Sequence, residues 1–345
     1  MAEAHVDMVR DPSDNGKCDA CHLDQVNATK NSLHTNLWGE RAAIEIRSGV
    51  PLAGSPHEPG FEAKCASCHT TCGQCHVSRP NSVGGGFPGV TASSGGIYYS
   101  HRFQKTPSMD QQCTACHGSR IGHDYLGQAA GNVADVHYSA GRKCEFCHTS
   151  EEIHGDGQHA GDHYTHRYEV ATMPRCEECH EVASNDNQFH AAHTGTGGSR
   201  RNLQCQVCHS QPYKNCTNCH NLGTPGFDID PSVLQLKIAV NYDDSGGPAP
   251  FPYRSEYDYV LVRHTPIDPN TYADWGLSLP NYLDRPTWQY TSPHNIMRNS
   301  PQTQSTNWCG DACHNTDYWL RDADLRDSGG APLVDYDANK HLVID

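Results

Sequence analysis

The sequence predicts a fold class with few regular elements. We expect mostly irregular loops and short α-helices wrapped around a core that is not built from side chains, with one β-hairpin near residues 233–264. Hydrophobic residues make up only 36% of the 345 residues, while glycine and proline number 31 and 21. Helical periodicity is also missing along nearly all of the chain. So few apolar side chains cannot by themselves offset the entropy lost on ordering the chain. The core must therefore come from something bound, and the 18 cysteines and 24 histidines indicate what it is.

Every cysteine belongs to a pair that is followed directly by a histidine. Eight of the nine motifs read C-x-x-C-H, and the ninth has one extra residue between the cysteines. The nine motifs are Cys18/Cys21-His22, Cys65/Cys68-His69, Cys72/Cys75-His76, Cys113/Cys116-His117, Cys144/Cys147-His148, Cys176/Cys179-His180, Cys205/Cys208-His209, Cys216/Cys219-His220 and Cys309/Cys313-His314.

This motif is the attachment signature of c-type haem. The two thiols add to the two vinyl groups of one porphyrin, and the adjacent histidine supplies an axial nitrogen to the iron. A zinc site or a disulfide framework would not need a histidine after every pair. We therefore expect nine covalently attached haem c groups, with the polypeptide wrapped around a chain of haems.

The second axial ligand of each iron is expected to be histidine. Fifteen histidines remain outside the motifs, whereas the chain has only five methionines. Two imidazoles per iron give low-spin, six-coordinate haems, mostly of low potential. Eight histidines are predicted as second ligands: His34, His101, His137, His154, His190, His193, His264 and His294. The ninth ligand is left open among His5, His57, His123, His159, His163, His166, His341 and a histidine of a neighbouring subunit.

Local sequence context selects these eight. His190 and His193 form an H-x-x-H pair that suits two neighbouring haems, and His137 lies shortly before the cysteine of the next motif. His264 and His294 are the only histidines in the long stretch without cysteine that precedes Cys309.

The spacing of the motifs suggests three consecutive segments. Residues 1–225 carry eight motifs, residues 226–308 form a haem-free insert, and residues 309–345 hold the ninth motif and an acidic tail. The intervals between motifs leave no room for separate modules, so one continuous haem-cored unit is expected.

The insert contains the predicted hairpin. Apolar residues alternate with polar ones over residues 234–241 and again over 257–264, which is typical of half-buried strands. If His264 points inward with Val260 and Val262, the hairpin delivers a ligand to a haem. Residues 266–301 are rich in proline and aromatic residues and are predicted to be loop.

Composition also excludes some partners and locations. No apolar run is long enough to span a membrane, and the net charge of −15 argues against binding nucleic acid. No signal peptide is visible at the start of the sequence. Haem attachment of this kind takes place outside the cytoplasm, so we expect an exported protein that is extracellular or on the cell surface, with the periplasm as the alternative.

The motif density and the scattered additional histidines resemble the multihaem c-type cytochromes of metal-respiring and syntrophic bacteria. The resemblance is carried by CASCHTTCGQCHVSRP at residues 65–80, CTACHGSRIGHDYL at 113–126 and CQVCHSQPYKNCTNCH at 205–220. It implies closely spaced haems along which electrons move. Some members of this group polymerise into extracellular filaments, in which one subunit can donate a distal histidine to its neighbour. His5 and His341, near opposite ends of the chain, could serve in that way.

Three functions follow as hypotheses. The first is electron transfer, without catalysis, to redox partner proteins or extracellular electron acceptors, with possible self-association into a homopolymeric conductive filament. The second is a discrete periplasmic or porin-associated carrier. The third is a multihaem oxyanion reductase, which would leave one haem iron open to substrate; because all nine motifs end in histidine, the sequence favours the first two.

Overall fold

A computed structural model provides the structure of the chain. It describes residues 19–30, 32–64, 72–76, 105–155, 172–181, 188–193, 202–214, 234–235, 237–241, 256–304, 313–314 and 318–344. Several expected ligands lie outside the described residues: Cys18, Cys65, Cys68, His69, Cys216, Cys219, His220, Cys309 and His101, together with the side chain of Cys21. The same holds for His5, His159, His163 and His166.

The described helices are short. Only the first and third exceed two turns, and none of the helices in the described ranges is long and apolar enough to cross a membrane. The α-helices are α1 Asp19–Thr29, α2 Leu33–Asn36, α3 Trp38–Ser48, α4 Glu58–Lys64, α5 Cys72–His76, α6 Thr114–His117, α7 His123–Tyr125, α8 Val136–Ser139, α9 Cys144–Cys147, α10 Ser150–His154, α11 Gln188–His193, α12 Cys205–His209 and α13 Tyr336–Asn339. Single turns of π-helix lie at Met109–Cys113 and Gly118–Gly122, and 3₁₀-helices at Cys176–Glu178, Ala273–Trp275, Asp322–Leu325 and Lys340–Leu342.

Within the described ranges, five strands form two small antiparallel sheets. Strand β1 (Tyr213–Lys214) pairs with β2 (Leu234–Gln235), and the larger sheet has the order β3 (Lys237–Val240), β4 (Tyr259–His264), β5 (Trp288–Tyr290). The pairing of β3 with β4 is the arrangement that the alternating pattern predicts. Strand β5 lies in the stretch for which the sequence analysis predicted only loop. A segment of three residues shortly after a proline is too short to show alternation, so no pattern in the sequence indicates this strand.

The chain divides into two compact units, each built from discontinuous segments. The first comprises Met1–Ala43, Pro51–Ser119 and Arg142–Pro174, and the second comprises Ile44–Val50, Arg120–Gly141 and Arg175–Asp345. This division differs from the three consecutive segments expected from motif spacing, because residues distant in the sequence pack together within each unit.

The second unit has a side-chain core that the low apolar content did not suggest. Ala239, Val260 and Val262 pack on one face of the larger sheet with Trp288 and Leu320. Ile238 and Leu261 pack on the opposite face with Val207 and Tyr213. The strands are therefore covered on both faces rather than half-buried, and a small sheet sandwiched in this way can be stable without a bound group beside it.

Buried side-chain amides hold the loops of the second unit together. The Gln211 amide donates to the carbonyl oxygens of Val133 and Asn295 at 2.9 and 3.1 Å and accepts from the Val133 amide at 2.9 Å. The Asn295 amide in turn donates to the Gln211 carbonyl at 3.0 Å. Backbone groups of buried loops need such partners because no sheet or helix satisfies them.

Candidate functional site

The cysteines of three described motifs lie on single helical turns. Two cysteines separated by two residues fall on the same face of a turn, and the histidine follows at the end of that turn. Cys72 and Cys75 lie on α5, Cys144 and Cys147 on α9, and Cys205 and Cys208 on α12. Each such turn therefore presents two thiols and an imidazole to one group.

Two further motifs depart from this single-turn arrangement at their second cysteine. In the fourth motif a turn of π-helix ends at Cys113, and Cys116 lies on the following helix, α6. In the sixth motif Cys176 begins a 3₁₀-helix, and Cys179 lies just beyond its end. In the ninth motif only Cys313 is described, because Cys309 lies outside the described residues. The placement of Cys116 and Cys179 therefore does not match the single α-helical turn seen in the other three motifs.

The described cysteines carry thiol side chains at the positions where the sequence predicts thioether bonds. They share intermediate exposure, except for Cys147 and Cys179, which are exposed. The eleven are Cys72, Cys75, Cys113, Cys116, Cys144, Cys147, Cys176, Cys179, Cys205, Cys208 and Cys313. No disulfide joins any of these described cysteines, so each has a thiol that a porphyrin vinyl group could take, and the predicted attachment stays a prediction.

Motifs that follow one another in the sequence touch through their first cysteines. In the first unit the Cys113 and Cys144 thiols hydrogen-bond to each other. In the second unit Cys176 and Cys205 do the same, and the Cys205 sulfur also lies 3.4 Å from a Glu177 carboxylate oxygen. Two pairs of attachment motifs are thus direct neighbours.

Five pairs of imidazole rings form the most regular feature of the described residues. Each pair joins one motif histidine to one histidine outside the motifs, and all five of the latter are among the eight predicted second ligands. The ring centres are 6.2 Å apart for His34 and His117, 6.0 Å for His76 and His154, 5.9 Å for His137 and His180, 6.1 Å for His190 and His209, and 6.3 Å for His193 and His314.

The distances are nearly constant, whereas the ring angles are not. The planes are inclined by 20° in the His76/His154 pair and by 81° in the His193/His314 pair. Rings that pack directly on one another favour particular angles as well as distances. A fixed separation with variable tilt is instead what two ligands on opposite sides of a common centre would show.

Hydrogen bonds at Nδ1 fix the orientation of three of these rings and of the motif histidine His148. His193 Nδ1 donates to the Phe189 carbonyl at 2.8 Å, and His209 Nδ1 donates to the Met297 carbonyl at 3.2 Å. His137 Nδ1 donates to Asp135 Oδ1 at 2.8 Å, and His148 Nδ1 donates to Glu152 at 2.9 Å. A bond at Nδ1 fixes the tautomer that carries its lone pair on Nε2, the arrangement usual for histidines that bind metal.

Two helix caps position predicted ligand histidines, and neither cap was predicted from the sequence. Ser32 caps α2 and accepts the His34 amide at 3.2 Å, while its hydroxyl donates to the Ile153 carbonyl at 2.7 Å on the helix that carries His154. Asp135 caps α8 and accepts the His137 amide at 2.7 Å. Ser or Asp two residues before a histidine is an N-cap signature that could have identified both.

Burial keeps several of these imidazoles neutral. Desolvation, followed by the nearby His117, His148 and His154, lowers the pKa of His34 to about 4. Desolvation is also the main reason why the pKa values of His154 and His209 lie below the usual value for histidine. A neutral imidazole is the form that binds metal ions.

His264 occupies a different environment from the five paired candidates. Its Nε2 donates to Asp335 Oδ2 at 2.9 Å, and its ring stacks on Trp288 with centres 4.8 Å apart. The Thr287 hydroxyl also donates to Asp335, and Asn339 bonds to Thr287, so the histidine is part of a buried polar network. The expected role as an axial ligand does not match this arrangement, because the nitrogen that would bind iron is committed to a carboxylate.

The other described histidines leave the remaining assignments open. His294 Nδ1 donates to the Ser292 carbonyl at 2.9 Å, which is the same orienting pattern as in His193. His57 precedes α4, His123 begins α7, and His341 lies on the 3₁₀-helix Lys340–Leu342. Among the motif histidines, His22 lies at a kink within α1, where its backbone leaves helical geometry.

Comparison with known proteins adds nothing to this geometry. No protein-family model, curated protein or solved structure matches the chain. Its function is therefore inferred from its own residues.

Proposed function

We propose that this chain is a nonahaem c-type cytochrome that transfers electrons and does not transform a substrate. Haem c would be attached at the nine cysteine pairs, and each iron would be held between a motif histidine and a second histidine. The observation that carries the proposal is the set of five pairs that each join a motif histidine to one outside the motifs, at 5.9 to 6.3 Å.

The separation agrees with one metal ion between two imidazoles. An imidazole nitrogen binds a transition metal at about 2.0–2.1 Å, and aromatic C–N bonds of about 1.33 Å put each ring atom about 1.1 Å from the ring centre. Two imidazoles bound on opposite sides of one ion would therefore have ring centres about 6.2 Å apart. All five observed distances lie within a few tenths of an ångström of this value.

The residues present also suit haem in particular. The two imidazoles of a pair would bind the iron of one haem, and the porphyrin would supply the remaining ligands. The two thiols on the turn that ends in the motif histidine are suited to hold that porphyrin covalently. Bound haem supplies reversible one-electron oxidation and reduction.

Ligation by histidine on both sides favours electron transfer over catalysis. A reductase needs an iron position that substrate can occupy, whereas each of the five pairs would hold an iron with two histidines. The contacts of Cys113 with Cys144 and of Cys176 with Cys205 bring attachment motifs together in each unit. Short distances between neighbouring centres favour passage of electrons along the chain.

The same proposal includes location and partners. Attachment of haem c outside the cytoplasm makes the protein an exported one, extracellular or on the cell surface, that passes electrons to redox proteins or extracellular acceptors.

The net charge of −15 becomes more negative when haem propionates are added. If copies of the chain associate into a filament, this repulsion must be screened, so assembly would weaken at low ionic strength. Negative-stain images at two salt concentrations test this part independently.

Haem content and spin state test the central proposal. A pyridine haemochrome assay on the purified native protein should give nine haems per chain, and the oxidised protein should show low-spin ferric signals. A content far below nine would reject the proposal. Nine haems with a large high-spin signal, together with turnover of nitrite or hydroxylamine by the reduced protein, would support the reductase instead.

A further inference from the structure

The ligand histidines differ in the group that accepts their Nδ1 proton. His193 and His209 donate to backbone carbonyl oxygens, of Phe189 and Met297. His137 and His148 donate to carboxylates. A carbonyl is neutral and a carboxylate carries a full negative charge, so the two kinds of acceptor act differently on the metal bound to the other nitrogen.

Glu152 is positioned to accept a hydrogen bond from His148. It lies four residues after the histidine, on α10, and both of its carboxylate oxygens are 2.9 to 3.0 Å from Nδ1. Its side chain is only 8% exposed, so water screens this charge little. The helix is anchored through its Ile153 carbonyl, which accepts from Ser32. These contacts fix the Glu152 carboxylate beside the His148 imidazole.

Asp135 has the same relation to His137 in the second unit. Oδ1 accepts both the backbone amide and Nδ1 of His137, at 2.7 and 2.8 Å, and Oδ2 accepts the Ile296 amide at 2.7 Å. The side chain is 2% exposed. Three N–H donors from two segments of the chain fix the carboxylate, so the orientation of the imidazole follows from it.

We propose that Glu152 and Asp135 are positioning residues that lower the reduction potential of two of the nine centres, the one bound by His148 and the one bound by His137 with His180. The inference rests on the proposed haem ligation. A carboxylate that accepts the Nδ1 proton makes the imidazole a stronger electron donor, which favours ferric over ferrous iron. One such centre lies in each compact unit.

Isosteric amide variants test the charge and keep the shape. In E152Q the amide oxygen can still accept from His148. In D135N the amide oxygen can still accept from His137, while the new amide nitrogen cannot accept the Ile296 amide as Oδ2 does. Each variant therefore keeps an acceptor for Nδ1 and loses the charge. Potentials are measured by spectropotentiometric titration of the intact holoprotein, with the low-spin ferric resonances followed by electron paramagnetic resonance. Each variant should move one centre to a more positive potential and alter one resonance, and the double variant should show both changes because the two sites are independent.

Neighbouring exposed carboxylates provide matched controls. E151Q removes the same charge one position away on the same helix, and D337N removes an aspartate whose side chain is 88% exposed. Neither control variant should shift the reduction potential of an individual centre. Equal shifts in E151Q and E152Q, or nine loaded haems with no positive shift in either E152Q or D135N, would overturn the inference. Loss of haem from both E152Q and D135N would also overturn the inference, because each variant keeps an oxygen that can accept the Nδ1 proton. A wild-type protein without nine haems would instead reject the proposed function.

Discussion

The imidazole rings of His193 and His314 lie 6.3 Å apart, and His190, on the same helix as His193, lies 6.1 Å from His209. The two helix residues are three apart, so they project from neighbouring positions of one face. Helix α11 thus reaches two motifs that are far apart in the sequence. A single short helix would supply the second ligand to two different centres.

Replacing these two histidines should open one centre each. In H193A the centre of His314 keeps its thioether bonds and its motif histidine, so the protein should retain nine haems while about one of them becomes high-spin. H190A should do the same at the centre of His209, and the double variant should show two. The electron paramagnetic resonance spectrum of the oxidised protein measures this, and added imidazole should restore the low-spin signal. An unchanged spectrum in H193A would show that His193 is not a ligand.

Replacing His264 should have a different effect from replacing His190 or His193. Substitution by alanine should leave all haems low-spin, because Nε2 of His264 is bonded to Asp335 rather than to iron. It should instead destabilise the protein by about 2–4 kcal/mol, since the buried carboxylate loses its partner and the Trp288 ring loses its stacking contact. Denaturant unfolding measured at neutral pH reports the loss. A high-spin haem in H264A would restore the ligand role that the sequence predicts.

The sequence predicts the chemistry of the sites but not which histidines lie beside one another. The motif spacing predicts nine attachment sites. Local context predicts eight second ligands, five of which, His34, His137, His154, His190 and His193, lie beside a motif histidine. It does not tell which motif each serves: His34 lies beside His117 of the fourth motif rather than the first, and His193 beside His314 of the ninth. Pairing depends on long-range packing, which no local pattern records. The surroundings of His264 could not be predicted for a related reason: its place at the end of a strand was expected, but its neighbours Trp288 and Asp335 come from distant segments.

The Asp335 carboxylate should make stability depend on pH. Burial raises the pKa of this group, but hydrogen bonds from His264 and Thr287 outweigh that effect, so the pKa in the folded protein lies below the usual value. The unfolded value is about 3.9. A lowered folded pKa means that the contribution is fully present above the unfolded value and is lost as the pH falls below about 4, through the folded pKa.

The D335N variant isolates this contribution. Because other carboxylates also titrate in acid, the useful quantity is the difference in unfolding free energy between the wild type and D335N. That difference should be constant near neutral pH and shrink below about pH 4, whereas D337N, at an exposed position, should differ little from the wild type throughout. A difference that grows as the pH falls would have the wrong sign for a carboxylate with a lowered pKa.

The backbone conformation of Gly155 fixes the position of the proposed ligand His154. Gly155 follows His154 directly, with φ of 87° and ψ of 156°, a combination that is essentially restricted to glycine. A Cβ there would lie 2.7 Å from the Ala28 carbonyl oxygen of α1. G155A should therefore lower the free energy of unfolding by about 3 kcal/mol or more and displace His154 from His76, which would convert that centre to high spin.

The control variant is G131A, where φ is 83° but a Cβ would meet nothing within 4 Å. There we expect a loss of only about 1 kcal/mol and no change of spin state. Equal losses in the two variants would mean that close packing of α1 against Gly155 does not hold His154 in place.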